Sequence, residues 1–239
     1  MTILAVIPAR WASTRLPGKP LIEIKGKPMV QHVWENAKKS KLIDEVLVAT
    51  DDKRVFDCVT GFGGKAVMTE KKHQSGTDRI GELAKKIKCD IIVNIQGDEP
   101  FISPTNIDKA IQPLLTDKKL NVSTLCFKIK DKKEITDPNV VKAVMDNNNN
   151  ALYFSRNPVP YYRDGNKKVN YYKHIGLYVY RKNYLLKLIR LKQTKAEKAE
   201  KLEQLRILES GERIKVVVTK TDSISIDTRA DLKNLKQNY

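Results

Sequence analysis

The feature that most constrains the fold is the alternation of short apolar runs with amphipathic segments. Residues 3–9 form a continuous apolar run, which predicts a strand of the kind that parallel sheets bury on both faces; residues 45–50 predict a second buried strand and residues 90–96 a third. Between the first two runs, one helical face carries Met29, Val30, Val33, Trp34 and Ala37. Strands and helices that alternate at short intervals predict an α/β sandwich, Rossmann-like and three-layered, with a mainly parallel sheet.

The second half of the chain is less regular. Strands are predicted at residues 122–129, 140–145, 151–154, 174–180 and 214–219. A capping box at Thr194 and Glu197 predicts one helix that continues to Gly211, with Glu197 and Lys201 paired on its exposed face. Because no repeat or linker is visible, residues 1–239 are interpreted as a single domain.

Composition places limits on the class of protein. A hydrophobic content of 41% is enough for a folded core. No run approaches the roughly 18–20 apolar residues of a membrane span, and the first residues lack a signal-peptide pattern, so we expect a cytoplasmic protein without membrane contact. The three cysteines, Cys58, Cys89 and Cys126, are far apart and are expected to be buried thiols rather than ligands.

The net charge of +17 allows three interpretations. Lysine is frequent along the whole chain, which favours an ordinary basic surface over a specific basic arm. Attraction of anionic substrates is the second interpretation, and nucleic-acid binding is the third. The chain has no zinc-finger or RNA-recognition signature, so no nucleic-acid partner is expected.

Residues 10–19 follow the first predicted strand, at the sheet edge where open α/β proteins bind ligands. This loop brings together the cations Arg10, Arg15 and Lys19, with hydroxyls from Ser13 and Thr14. Such a set suits a triphosphate, although an exposed basic loop without a ligand has the same composition. The loop is neither a Walker A motif nor a G-x-G-x-x-G motif.

Asp98 directly follows the strand predicted at residues 90–96. A carboxylate beside phosphates is unfavourable unless a cation lies between them, so Asp98 predicts a Mg²⁺ ligand, with a simple turn residue as the alternative. On sequence pattern alone, Ser75 and Asp227 fit helix N-caps, and His174 fits a buried core histidine.

Seven blocks along the chain resemble, in order, the motifs of the 3-deoxy-manno-octulosonate cytidylyltransferase (CMP-Kdo synthetase) family. The blocks are IPARWASTRLPGKP at 7–20, HQSGTDR at 73–79, NIQGDEP at 94–100, ALYFSR at 151–156, KHIGLY at 173–178, LEQLR at 202–206 and IDT at 226–228. Any one block is weak evidence, but seven in the same order are specific. Trp11 stands where the family usually has tyrosine or another large residue.

The resemblance implies a nucleotide-diphospho-sugar transferase type of fold and a reaction in lipopolysaccharide biosynthesis. CTP and 3-deoxy-D-manno-octulosonate (Kdo) would give CMP-Kdo and pyrophosphate with Mg²⁺. Asp98 and Asp227 would hold a metal ion, while Lys19 and Arg15 would stabilise charge on the phosphates. The implied nucleotide-binding residues are Ala9, Arg10, Ser13, Arg15, Lys19, Ser75, Gly76, Arg79 and Gln96.

The implied Kdo-binding residues are Gln96, Arg156, His174, Glu203 and Gln204. Arg156 follows an apolar strand and can bind a carboxylate through two hydrogen bonds. The segment 122–206 is expected to contribute the sugar site and the contacts of a homodimer. Two rival hypotheses remain: a cytidylyltransferase for another acidic sugar, such as sialic acid or 8-amino-Kdo, and a nucleotide- or nucleic-acid-binding protein on a similar sheet.

Overall fold

The computed structural model describes residues 1–12, 16–73, 75–163, 170–229 and 231–233. Its strands, in chain order, are β1 Ile3–Pro8, β2 Glu23–Ile24, β3 Lys27–Pro28, β4 Glu45–Thr50, β5 Lys65–Met68, β6 Ile91–Asn94, β7 Val122–Lys128, β8 Lys142–Met145, β9 Ala151–Ser155, β10 Tyr172–Arg181 and β11 Ile214–Thr219. The helices are α1 Met29–Lys38, α2 Lys53–Gly61, α3 Gly76–Lys86, α4 Pro104–Thr116, α5 Lys133–Thr136, α6 Lys182–Leu188, α7 Lys195–Glu200 and α8 Gln204–Glu209, with a 3₁₀ turn at Lys19–Leu21. Within these described ranges, no helix is both long and apolar enough to span a lipid bilayer.

The chain forms two compact units. Unit 1 comprises residues 1–108, 180–189 and 223–239, and unit 2 comprises residues 109–179 and 190–222. Whether the whole chain behaves as a single domain stays a prediction.

Unit 1 contains four neighbouring parallel strands in the order β6-β1-β4-β5. The first five residues of β1 are buried, as expected for a parallel strand covered on both faces. Helix α1 buries Met29, Val30, Val33 and Ala37, the face that the sequence predicts. The predicted α/β class with a mainly parallel sheet is confirmed.

Unit 2 contains the neighbouring strands β11, β7 and most of β10, together with β8 and β9. Strands β11 and β7 are parallel, whereas β8 is antiparallel to both β10 and β9. The strand predicted at residues 140–145 begins only at Lys142, because the preceding residues form a turn in which the Val140 amide donates to the Asp137 carbonyl at 3.2 Å.

The prediction of one helix from Thr194 to Gly211 was wrong. Helices α7 and α8 are separate because Lys201 adopts a left-handed conformation at φ 55° and ends α7. The expected pairing of Glu197 with Lys201 was also wrong. Glu197 is buried, and it accepts a hydrogen bond from Arg206 Nε at 2.7 Å.

Candidate functional site

Three segments of unit 1 converge around Pro8, the last residue of β1. Strands β1 and β6 are parallel, with Val6 opposite Asn94, so the segments that follow them start at the same edge. A Cβ atom on Gly97 would lie 2.8 Å from the Pro8 carbonyl oxygen, and one on Gly76 would lie 3.2 Å from Pro8 Cγ. The loop after β6 and the first residue of α3 therefore both lie against the end of β1.

Gly97→Ala tests this close approach. The added methyl group would meet a backbone oxygen, which cannot rotate away, so we expect unfolding free energy to fall by about 1–3 kcal/mol. Gly61→Ala is the matched control, because a Cβ atom at that position has no neighbour within 4 Å and the backbone is not left-handed. Urea denaturation of both variants measures the difference, and equal stability of the two would contradict the packing described.

The two ends of the predicted phosphate loop are held together by Trp11 and Gly18. The Gly18 amide donates to the Trp11 carbonyl at 3.3 Å, and Gly18 lies against the indole ring with a left-handed φ of 67°. The Arg54 guanidinium stacks 3.5 Å from the centre of the Trp11 ring. Ala9 is buried and Arg10 is exposed, whereas Ser13 and Arg15 lie outside the described residues.

Asp51, which has no role in the sequence-based predictions, connects the predicted phosphate loop to α3. Its Oδ1 accepts from the Trp11 amide at 3.3 Å, and its Oδ2 accepts from Arg79 Nη2 at 2.8 Å. The buried Arg79 side chain also donates through Nη1 to Thr69. Asp51 immediately follows β4, so its position at the end of a parallel strand was a usable signal.

Lys19, Asp98 and Asp227 form the centre of the candidate site. Lys19 Nζ donates to Asp98 Oδ2 at 2.6 Å and to Asp227 Oδ1 at 2.6 Å. Burial, together with the neighbouring Asp227 carboxylate, raises the pKa of Asp98, while the Lys19 ammonium acts in the opposite direction. One-quarter of the Asp98 side chain nevertheless reaches solvent, so a ligand can approach it. The structure thus brings together three residues that lie up to 208 positions apart.

Asp227 is positioned by the residues on either side of it. Ile226 is buried with Leu16, Ile24 and Met29, and its amide donates to the Asp98 carbonyl at 2.8 Å. Its other neighbour, Thr228, accepts from the Asp231 amide at 3.2 Å and donates its own amide to Asp231 Oδ2 at 2.7 Å.

The interpretation of Asp227 as a helix N-cap is therefore wrong. Thr228 and Asp231 satisfy the first amides in a capping-box arrangement, and the Asp227 carboxylate accepts from Lys19.

The two carboxylates fit a small divalent cation. The Lys19 ammonium already lies 2.6 Å from an oxygen of each of them, so a positive charge is accommodated between them. Among the described residues, no cluster of three or more His, Cys, Asp or Glu side chains could hold a metal ion. Two carboxylates are still a sufficient protein contribution for Mg²⁺, which commonly completes its shell with water and substrate phosphates.

The remaining unit 1 candidates lie around Gly76. Ser75 is the N-cap of α3, because its hydroxyl accepts from the Asp78 amide at 3.1 Å. Gln96 Nε2 donates to Asn94 Oδ1 at 3.0 Å, and its Oε1 would lie 3.9 Å from a Cβ atom on Gly76. Ser75, Gly76 and Gln96 thus border the same edge as the loop after β1.

In unit 2, Arg156 is held by backbone carbonyls. Its Nε donates to the Glu200 carbonyl at 2.8 Å, and its Nη1 donates to the Pro138 carbonyl at 2.8 Å. No hydrogen bond to another described residue uses Nη2. Nη2 of the guanidinium is therefore available for a carboxylate.

His174 lies between Phe154 and Tyr178, with ring centres 5.1 and 5.2 Å away. The Thr124 hydroxyl donates its proton to the Leu177 carbonyl at 2.7 Å, so its oxygen accepts from His174 Nε2 at 2.9 Å. Burial lowers the pKa of His174 to about 3. The ring is therefore neutral near pH 7, and Nδ1 can accept a hydrogen bond from a hydroxyl group.

Glu203 directly precedes α8, and Gln204 is its first residue. Of these two residues assigned to the sugar, Glu203 is exposed and Gln204 is buried. The two side chains therefore face different surroundings, because Glu203 precedes the first helical turn.

Comparisons with known proteins agree with this chemistry. A family model described as "Cytidylyltransferase" matches residues 4–214. The 3-deoxy-manno-octulosonate cytidylyltransferase of Geobacter metallireducens is 52% identical over 97% of this chain and 95% of its own length. The protein of that name from Pelobacter propionicus is 49% identical over 100% of this chain and 98% of its own.

A solved structure of CMP:2-keto-3-deoxy-manno-octonic acid synthetase complexed with CTP superimposes with a TM-score of 0.94. It is 44% identical, over 99% of this chain and 98% of the other. A 4-diphosphocytidyl-2C-methyl-D-erythritol synthase from Anaerococcus prevotii, at 18% identity and a TM-score of 0.65, shares the fold.

Proposed function

The chain belongs to the cytidylyltransferase family, and we propose that it transfers CMP from CTP to Kdo, releasing pyrophosphate. The observation that carries the proposal is the group formed by Lys19, Asp98 and Asp227, which combines one cation with two carboxylates at the edge bordered by the loop after β1. The near-full-length relatives with this activity in their names support it.

The proposed reaction is an in-line displacement. The anomeric 2-hydroxyl oxygen of Kdo forms a bond to the α-phosphorus of CTP, the bond from that phosphorus to the bridging oxygen breaks, and the hydroxyl proton passes to water. Such phosphoryl-type transfers depend on positioning and charge neutralisation more than on covalent catalysis. We assign the phosphates to the loop at residues 10–19 and the Lys19 ammonium to the charge that develops on them.

We also propose Mg²⁺ as the cofactor, with Asp98 and Asp227 as its protein ligands. When bound, Mg²⁺ supplies charge neutralisation at the phosphates and acidifies a coordinated hydroxyl group. In addition to its role at the phosphates, Lys19 would keep the two carboxylates close together, 2.6 Å from its own nitrogen.

We assign recognition of the sugar to unit 2. The free end of the Arg156 guanidinium suits the carboxylate of Kdo, and the neutral His174 suits a hydroxyl group. Gln204, which is buried, and Glu203 are assigned to further hydroxyl groups, and Gln96 of unit 1 to either substrate. The setting that the sequence resemblance implies is lipopolysaccharide biosynthesis in the cytoplasm of a Gram-negative bacterium.

The nucleotide preference tests the proposed function. Gly76 lies close to Pro8 and Gln96, and we propose that the nucleotide base binds beside Ser75 and Gly76 in a pocket too small for a purine. We expect CTP to be strongly preferred over ATP and GTP, with UTP weaker by about 1–3 kcal/mol because it lacks the exocyclic amine. Pyrophosphate release from each of the four nucleotides, with and without Kdo, measures this preference. Comparable release from ATP would contradict the proposal.

We further propose a homodimer formed through unit 2. Leu152, Tyr153 and Tyr161 are exposed, with Tyr161 86% accessible, which supports a surface covered by a second copy. Phe154, by contrast, is buried within the chain. Light scattering at micromolar concentration should give twice the mass of 27.3 kDa, and a monomer mass would contradict the dimer.

A further inference from the structure

Lys142 is a lysine with no exposed surface, and none of the assignments above uses it. It begins β8, where it lies opposite Ser155 of β9 and Lys173 of β10. Removal of an ammonium group from water is unfavourable unless hydrogen bonds replace the lost hydration. Burial accordingly lowers the pKa of Lys142. A methionine would fill the same space without this cost, so the ammonium calls for a specific explanation.

The Lys142 ammonium binds the turn that precedes it. Nζ donates to the Asp137 carbonyl at 2.8 Å and to the Val140 carbonyl at 2.5 Å, that is, to both ends of the turn. Between these ends, Pro138 and Asn139 are exposed. The buried Lys142 ammonium thus holds an exposed turn in place through hydrogen bonds.

The turn and the residue after it contact Arg156 and His174, two of the residues assigned to the sugar. The Pro138 carbonyl, between the two that Lys142 binds, accepts from Arg156 Nη1 at 2.8 Å. The Val141 carbonyl accepts from the His174 amide at 2.8 Å. On the other side of the guanidinium, the Glu200 carbonyl accepts from Arg156 Nε at 2.8 Å. The direction of Arg156 Nη2 therefore depends on where the turn places the Pro138 carbonyl.

We propose that Lys142 is a positioning residue for sugar recognition: its ammonium fixes the turn at residues 137–140, whose Pro138 carbonyl orients Arg156 toward the carboxylate of the acidic sugar. The inference rests on the proposed function, because Arg156 acts on that carboxylate. Lys142 itself, being fully buried, does not contact the substrate.

Lys142→Met tests this role. The variant keeps the length and the apolar stem of the side chain but removes the donors, so the turn and Arg156 lose their fixed arrangement. We expect the KM for Kdo to rise tenfold or more, with the KM for CTP within twofold of the wild-type value. Lys182→Met is the matched control: Lys182 Nζ also donates to a backbone carbonyl, that of Ile87 at 2.6 Å, but in unit 1. In this control both KM values should stay within twofold.

A double-mutant cycle separates positioning from a general loss of structure. If Lys142 acts through Arg156, the KM for Kdo of Lys142→Met/Arg156→Met should equal that of Arg156→Met within about twofold. Lys142→Leu, which also removes the donors to the two carbonyls, replaces the methionine variant if thermal melting shows that the latter is unfolded.

Three results would overturn the inference: an unchanged KM for Kdo in the folded variant, an equal rise for CTP and Kdo, or multiplicative effects in the double mutant. The wild-type rate with CTP and Kdo reports separately on the proposed function. Calorimetric titration with Kdo alone checks each variant independently of turnover, and it should show the same loss of Kdo affinity in Lys142→Met.

Discussion

Asp98→Asn and Asp227→Asn are each expected to lower turnover by about a hundredfold or more, a barrier increase near 2.7 kcal/mol. Each replacement keeps the size of the side chain but removes one of the two negative charges that face Lys19. The pair would then be a poor ligand set for Mg²⁺, which prefers charged oxygen donors. CTP should still bind, because the triphosphate carries its own Mg²⁺ and keeps its contacts with the loop at residues 10–19.

The double variant should be little worse than either single variant, since both carboxylates would serve one ion and such losses are not additive. Asp57→Asn is the matched control, because Asp57 makes an exposed ion pair with Lys53 in α2 of the same unit. The steady-state rates of the two single variants, the double variant and the control are measured at saturating CTP, Kdo and Mg²⁺. A rate close to the wild-type value in a folded single variant would show that the replaced residue is not a metal ligand.

Lys19→Met is expected to reduce turnover by a similar or larger factor, about 10²–10³, as for other losses of a charge-stabilising donor. The variant removes the only ammonium that the described structure places within hydrogen-bonding distance of both carboxylates. Asp98 and Asp227 would then repel each other, so the folded protein should also lose stability.

Added Mg²⁺ distinguishes the loss of stability in Lys19→Met from its loss of turnover. A divalent ion can replace the missing charge between the carboxylates, so Mg²⁺ should raise the melting temperature of Lys19→Met more than that of the wild type. Turnover should remain low, because the ion does not restore the lysine contact with the phosphates. Lys53→Met, which removes an 81% exposed lysine, is the control. Turnover of Lys19→Met within threefold of the wild type would exclude Lys19 from the reaction.

Strands with a continuous apolar pattern could be predicted from the sequence. The predicted bounds of β4 and β11, Glu45–Thr50 and Ile214–Thr219, agree with the structure residue for residue. Strand β5, Lys65–Met68, was missed because it is short, with only three consecutive apolar residues and none of its residues fully buried. The break between α7 and α8 was missed because a lysine, not a glycine, takes the left-handed position.

In the candidate site, too, some features could be predicted from the sequence and others could not. Asp98 could be predicted because a carboxylate at the end of a buried parallel strand lies at the ligand-binding edge of the sheet. Its pairing with Asp227 was implied only by the family resemblance, because the contact through Lys19 depends on the packing of Ile226 against residues early in the chain. The sequence pattern places Lys142 at a polar position of a strand. Only the carbonyls of the adjacent turn explain why its side chain is buried.

The central claim is tested most directly by identifying the product. Wild-type protein with CTP, Kdo and Mg²⁺ should give CMP-Kdo and pyrophosphate in equal amounts, measured by mass spectrometry and phosphorus NMR. Replacement of Kdo by sialic acid should abolish most of the product, and omission of the sugar should leave CTP intact. Formation of CMP-sialic acid at a comparable rate, or binding of CTP without any pyrophosphate release in the presence of Kdo, would contradict the account.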